Sequence, residues 1–161
     1  MVDTGAEHTV TLTEAGRVFT WGDGGVVQLG HDDEESQPAP RQVDARRFAG
    51  EKVVFVAARG RRTVAVTAGG RLYTWGHGEY GQLGHGDTGD RLVPTLVGAG
   101  AFWGSTVVMA ACGDEHTLVV THDGAPWACG LGGNGELGLN DAPPGASGRV
   151  AKGGKTRFEN F

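Results

Sequence analysis

The sequence predicts an all-β fold assembled from repeated, turn-rich units, and three observations carry that expectation. Gly accounts for 30 of the 161 residues, well above the roughly 7 per cent of ordinary soluble proteins. Gly in a helix interior costs about 1 kcal/mol relative to Ala, so such a chain folds through turns and short strands. No long stretch carries a clean helical period,. A self-similarity of 54 residues runs through most of the chain. Units of about 40 to 55 residues with several strands each are the mark of propeller blades.

The repeat holds without a gap from Thr4 to Asp141. Thr20-Trp21-Gly22 returns as Thr74-Trp75-Gly76 and then as Ala128-Cys129-Gly130. Gln28-Leu29-Gly30-His31 returns as Gln82-Leu83-Gly84-His85 and Glu136-Leu137-Gly138-Leu139. His8-Thr9 matches Arg62-Thr63 and His116-Thr117, and Gly16 matches Gly70 and Gly124. Within each unit, Val53 to Ala58 and Val107 to Cys112 are continuous apolar runs, which suits strands covered on both faces. Thr9 to Thr13, Thr63 to Thr67 and Thr117 to Thr121 are rich in β-branched residues and read as strands. In these, Val10, Leu12, Val64, Val66, Leu118 and Val120 share one face. Ala15-Gly16, Gly69-Gly70 and Asp123-Gly124 suit two-residue hairpin turns. The return strands are Arg17 to Trp21, Arg71 to Trp75 and Ala125 to Cys129. Pro126 predicts an edge position or a distortion for the last of these.

Composition narrows the function classes. The glycines do not recur every third residue and Pro numbers only 6, which excludes a collagen helix,. A hydrophobic content of 39% and four Trp argue against disorder,. The net charge of -5 argues against a basic nucleic-acid or chromatin binder,. No apolar run approaches the roughly 20 residues that span a bilayer. The start, Met1-Val2-Asp3-Thr4-Gly5, lacks the basic and apolar parts of a signal peptide,. Cys112 and Cys129 are too few for a disulfide scaffold, and their spacing leaves one bridge geometrically open. The expectation is an intracellular protein, cytoplasmic or nuclear, with both thiols reduced as small buried fillers.

Gly-x-x-His-Thr, a hairpin Gly, aromatic-Thr-Trp-Gly and Gly-Gln-Leu-Gly together resemble the repeat of the RCC1 (regulator of chromosome condensation) family. Residues 71 to 86, Arg-Leu-Tyr-Thr-Trp-Gly-His-Gly-Glu-Tyr-Gly-Gln-Leu-Gly-His-Gly, carry the resemblance almost throughout. It implies RCC1-type β-propeller blades, four-stranded and antiparallel, in an incomplete ring of about three: units of about 4–58 and 59–112, a partial 113–141, and a loose tail at 142–161. The structural positions of the repeat are then His8, Gly16, Trp21, Gly22, Gly30, Gly70, Trp75, Gly76, Gly84, His116, Gly124, Gly130 and Gly138. Met1 aligns with Phe55, so the first unit lacks most of its leading strand. Three accounts of the length are open: a piece of a longer propeller, a subunit completing a ring by association through open blade edges, or an incomplete gene model.

Function readings follow from the same residues. Gly76-His77-Gly78-Glu79-Tyr80-Gly81 and Gly130-Leu131-Gly132-Gly133-Asn134-Gly135 satisfy the string Gly-x-Gly-x-x-Gly. Neither precedes a plausible helix, so both read as repeat turns and no dinucleotide cofactor is expected. The histidines show no zinc-ligand spacing, and His8 and His116 read as buried rings bonded to backbone. No hydrolase signature is present, so no catalytic residue and no enzyme activity are expected. The run Asp32-Asp33-Glu34-Glu35 reads as a solvated loop. Glu7, Arg61 and Glu115 share one repeat position and predict an alternating charge row with Arg61 paired across blades. Arg41, Arg46, Arg47, Arg59 and Arg62 add a positive patch suited to an acidic partner. Without the tryptophans of the family's ultraviolet-B receptor at Ala6, Gly60 and Asp114, photoreception is not expected. The leading reading is a non-catalytic protein-interaction module. Its candidate contact residues are Arg61, Arg62, His77, Glu79 and Tyr80. The resemblance keeps two alternatives: an exchange factor for a Ran-like small GTPase, and the accessory propeller of a HECT-type ubiquitin ligase.

Overall fold

The computed structural model describes residues 1–98 and 100–138, together with the backbone of two short strands at 147–149 and 157–158. Three antiparallel sheets follow one another along the chain, each a simple meander. The first holds β1 (Val2–Thr4), β2 (His8–Leu12), β3 (Val18–Gly22) and β4 (Gln37–Gln42). The second holds β5 (Val53–Arg59), β6 (Arg62–Thr67), β7 (Leu72–Gly76) and β8 (Arg91–Leu96). The third holds β9 (Val107–Cys112), β10 (His116–Thr121) and β11 (Pro126–Gly130), then β12 (Ser147–Arg149) and β13 (Arg157–Phe158). A short 3-10 turn at Ala45–Phe48 joins the first sheet to the second. Its Asp44 side chain caps the Arg46 amide, and Phe48 is driven into the core.

The three sheets are blades of one arc. Their first strands, β1, β5 and β9, pack alongside one another, and β4 and β8 lie at the outer edge. The register repeats with the sequence: Thr9, Thr63 and Thr117 stand opposite Trp21, Trp75 and Cys129. Pro40 and Pro94 fall in β4 and β8, edge strands where a missing N–H is tolerated,. In the third blade the step is lost: Ala128 faces Gly148, whereas Thr20 and Thr74 face Arg41 and Thr95. That one-residue slip falls where the sequence period fails. The tail expected to be loose thus contributes β12 and β13, and its other residues lie outside those described. β11 is flanked on both sides by strands, so Pro126 does not put it at an edge. Pro126 is the first residue of β11, where its ring is accommodated,.

Apolar cores lie between blades rather than within one. Val10, Leu12 and Val18 of the first blade meet Val56, Ala65, Tyr73 and Trp75 of the second, with Phe48 wedged in edge-on to Tyr73. Val64, Val66 and Leu72 of the second meet Val107, Val119 and Trp127 of the third. Among the described residues, only the middle blade is covered on both sides. Every residue of β6 is buried, while β2 and β10 alternate between buried and half-buried. Leu118 and Val120 share a repeat face with the buried Val64 and Val66, yet stay half-buried: Leu118 packs on Ala128 and Leu137 of its own blade, and no further described blade covers that side. The expectation of double cover fails for part of β9: Met109 is 58% exposed where its equivalent Phe55 is half-buried, whereas Val108 is exposed like its equivalent Val54 in the middle blade.

Tight turns explain much of the glycine. Gly22, Gly76 and Gly130 have φ of 110°, 103° and 113°. A Cβ there would stand 2.4, 2.4 and 2.3 Å from the carbonyl oxygen of Glu7, Arg61 and Glu115. Only Gly meets both conditions.

Candidate functional site

Polar clamps hold the blades in register. His8 Nε2 lies 2.9 Å from Thr63 Oγ1. That hydroxyl donates its only proton to the Gln28 carbonyl at 2.9 Å. The imidazole must therefore donate through Nε2, which sets its tautomer. At the next boundary Arg62 takes the histidine's place. Its Nε donates to Thr117 Oγ1 at 3.1 Å, and Thr117 donates to the Gln82 carbonyl at 2.7 Å. The guanidinium also donates to the Asp114 and Gly113 carbonyls, each at 2.7 Å, and to that of His116. Burial holds the His8 pKa down to about 4, against the pull of Asp23 and Asp3. The bond expected from this ring to backbone goes instead to a threonine hydroxyl, which reaches the backbone in its turn. His31 and His85 meet Thr20 and Thr74 in the same manner, at 3.0 and 2.9 Å.

A cleft of about 340 Å³ opens above the clamp between the second and third blades. Gly60 and Arg61 enter it from the β5–β6 turn, His77, Glu79, Tyr80 and Gln82 from the loop after β7, and Asp114 and Glu115 from the β9–β10 turn. All five candidate contact residues, Arg61, Arg62, His77, Glu79 and Tyr80, line it. The loop is braced from within. Gln82 is buried; its side chain accepts from the Tyr80 amide at 2.8 Å and lies 3.3 Å from His77 Nδ1. The His77 ring stands edge-on to Tyr80, and its Nε2 lies 3.4 Å from Glu79. Glu79 is 67% exposed at its side chain, whereas Arg62 is 1% exposed and tied to the neighbouring blade. Arg62 therefore shapes the floor of the cleft.

Several electrostatic expectations change. Among the described residues no ion pair joins Arg61 to Glu7 or Glu115; the Asp23 pKa is lowered chiefly by the hydrogen bond from Gln28, and the Arg61 charge adds to that from a distance. The positive patch is neutralised locally. Arg41 pairs with Asp33, Arg46 with Asp44, Arg47 with Asp32 and Arg59 with Asp114, at 2.8 to 3.0 Å. The acidic run supplies two of those partners, and the Asp32 amide donates to the Leu92 carbonyl of the second blade at 3.2 Å, so its loop is tied down on both sides. Arg59–Asp114 crosses the blade boundary at the rim of the cleft.

Remaining chemistry-bearing residues resolve as structure. Gly78 to Gly81 form a closed turn, with the Gly81 amide on the Gly78 carbonyl at 2.7 Å, and the loop runs on through a second turn at Gly84. Cys112 and Cys129 flank Thr117 on opposite sides, on strands two places apart. Adjacent strands lie about 4.8 Å apart, so the thiols' Cα atoms exceed the roughly 7 Å limit of a disulfide. The bridge left open by the sequence is thereby excluded, and both thiols are free. Trp75 is fully buried, as expected of a core aromatic, but Trp21 is only half-buried because no described blade precedes the first. Trp103 is 44% exposed and stands edge-on to Trp127. Among the described residues no group of three or more His, Cys, Asp or Glu is placed to hold a metal ion. Among the described residues no helix is long and apolar enough to cross a membrane.

Interlocked antiparallel blades of four, four and five strands in an open arc, with turns gathered into an interblade cleft, define a segment of a β-propeller repeat protein. The family model "Regulator of chromosome condensation (RCC1) repeat" matches residues 15–66 and 69–120, and this chain belongs to that family. The human E3 ubiquitin-protein ligase HERC2 is 43% identical over 139 residues, which is 85% of this chain and 3% of that protein. The ultraviolet-B receptor UVR8 of Arabidopsis thaliana is 41% identical, over 85% of this chain and 30% of the receptor. Among solved structures, human WBSCR16 is matched with a TM-score of 0.75 at 30% identity, over 82% of this chain and 33% of that one. Prp20p of Saccharomyces cerevisiae, described with its binding to Gsp1p and histones, is matched with a TM-score of 0.80 over 95% of this chain and 38% of that one. At 19% identity Prp20p shows the fold alone. The chain thus spans under two fifths of each relative named here.

Proposed function

We propose that this chain is a non-catalytic protein-interaction module whose contact surface centres on the cleft between the second and third blades. One observation carries the reading: three separate turns, carrying Arg61, His77 to Tyr80, and Asp114 with Glu115, converge on one concavity whose walls are bolted together by the Arg62 clamp. A rigid scaffold that presents loops is the usual means of protein recognition without catalytic groups. Arg61 and Tyr80 supply the residue types that most often anchor such contacts. The partner is an intracellular protein, and a Ran-like small GTPase is the specific candidate, on the analogy of Prp20p and Gsp1p.

The test pans a displayed peptide library on the purified chain and compares enriched peptides on an Arg61→Glu/Tyr80→Ala variant. At least tenfold weaker binding with an unchanged melting temperature supports the cleft. Equal binding to both forms, or no enrichment, overturns it. The exchange-factor alternative is tested with the same preparation, and labelled GDP released no faster at high micromolar chain removes it. The ligase-accessory alternative requires a longer reading frame that encodes the catalytic domain.

A further inference from the structure

The two interior boundaries are built from equivalent residues, yet their charges differ. At the first boundary Arg61 stands on the β5–β6 turn, and its charge acts on Asp23 of the loop after β3. At the second boundary the residue equivalent to Arg61 is Glu115, on the β9–β10 turn, and the residue equivalent to Asp23 is His77, on the loop after β7. That loop carries its carboxylate two residues later, at Glu79, where the first loop has Gly25. The first boundary therefore has a resident cation acting on the acid of its loop. The second boundary has another acid in the place of that cation.

The arginines around the cleft do not fill the place. Arg62 is 1% exposed, and its guanidinium is turned into the third blade, on Thr117 and three carbonyls. Arg59 is taken up by Asp114 at 2.8 Å. Arg61 acts on Asp23 on the far side of its turn. The acids are less occupied. Glu115 is exposed and makes no ion pair among the described residues. Glu79 is 67% exposed at its side chain, and its polar side-chain contact among the described residues is the His77 ring at 3.4 Å. Both carboxylates line one cleft from adjacent blades, with Tyr80 beside them. Two like charges in one concavity, without a cation to neutralise them, favour the entry of a positive group.

We propose that the cleft receives a basic side chain, arginine or lysine, from an exposed segment of the partner protein. The inference rests on the cleft as the contact surface. At the second boundary the guest supplies the cation that Arg61 supplies at the first, between Glu79 of one blade and Glu115 of the next. The Tyr80 ring offers the guest an aromatic face, which attracts a cation. Arg61 is exposed at the same cleft and pairs with an acid that flanks the guest residue. The matching partner segment is therefore a basic residue beside an acidic one, and this charge pattern sets specificity.

The test uses the full 161-residue chain and the displayed peptide library. Enriched peptides are expected to share a basic residue next to an acidic one. A synthetic peptide of that kind is expected to bind a Glu79→Gln/Glu115→Gln variant about tenfold or more weakly, and to lose affinity for the parent as salt is raised. Glu115→Arg restores the residue of the first boundary. It is expected to abolish binding of that peptide and to favour the same peptide with its basic residue changed to Glu. Both positions are exposed, and unchanged circular dichroism and melting temperature show that the variants fold. Two results overturn the guest cation and leave the cleft as the contact surface, provided that Arg61→Glu/Tyr80→Ala still weakens binding. One is enriched peptides without a shared basic residue, and the other is equal binding to the parent and to Glu79→Gln/Glu115→Gln. No enrichment, or binding untouched by Arg61→Glu/Tyr80→Ala, overturns both.

Discussion

Replacing Arg62 probes the boundary between the second and third blades most directly. Arg62→Ala removes the donor to Thr117 and the donors to the Asp114, Gly113 and His116 carbonyls. Asp114 is exposed and Gly113 half-buried, so water reaches their carbonyls once the guanidinium is gone. Thr117 is 2% exposed, and its hydroxyl oxygen is left without a donor. An unsatisfied buried polar group costs about 1 to 3 kcal/mol. The lost packing of the buried alkyl stem adds about 1 to 2 kcal/mol. Together the loss is about 3 kcal/mol, or a fall of about 6 to 12 °C in melting temperature for a chain of this size. Arg62→His restores the residue found at the two equivalent positions. It keeps a ring N–H for Thr117 and gives up only the solvent-reachable carbonyls, so its loss is about 1 kcal/mol. Urea titration followed by tryptophan fluorescence measures both. A loss below about 1 kcal/mol for Arg62→Ala, or equal losses for the two variants, would refute the clamp.

Three further outcomes are expected. Gly30→Ala places a methyl against Trp75 at φ 79° and should cost about 2 to 4 kcal/mol,. Gly84→Ala, facing the smaller Cys129, should cost about half as much, and calorimetry of the two variants checks the order. Burial holds His8 and His85 at about 4 in the folded chain. The unfolded chain therefore binds more protons between about pH 6.5 and 4, and stability present above that window is lost as pH falls through it. The slope approaches about 1.4 kcal/mol per pH unit for each ring, and His85→Gln should flatten the melting-temperature profile between pH 7 and 4. Burial pushes the Cys129 thiol up to about 12, so in the native chain it should resist Ellman's reagent at pH 8 and react only on unfolding,.

The repeat makes the blades legible in the sequence. β9 spans the residues its apolar run marks, and β2, β6, β7 and β10 start or end within one residue of the β-branched and aromatic runs. The convergence of Arg61, His77, Glu79 and Tyr80 was legible in part, because turns at one repeat position fall on one side of an arc. Arg62 was misleading. Its charge suggests an exposed contact, but its register position, shared with His8 and His116, was the better guide, and that register puts the guanidinium into the next blade. The arginine patch and the Glu7–Arg61–Glu115 row failed for a related reason. Ion pairing is decided over a few ångströms, and aspartates from other turns reach Arg41, Arg47 and Arg59 first.

By itself the sequence determined the strand spacing, the turn glycines and the equivalence of the blades. Those depend on local backbone preference and on a pattern repeated every 54 residues. Only the tertiary structure decided which chemically equivalent residues are buried and which are not. Burial in this fold comes from a neighbouring blade, so Val64 and Leu118, or Trp75 and Trp21, read alike in sequence and differ in surroundings. Pairing of the thiols and partners of the arginines follow from where each strand and blade stands in the arc.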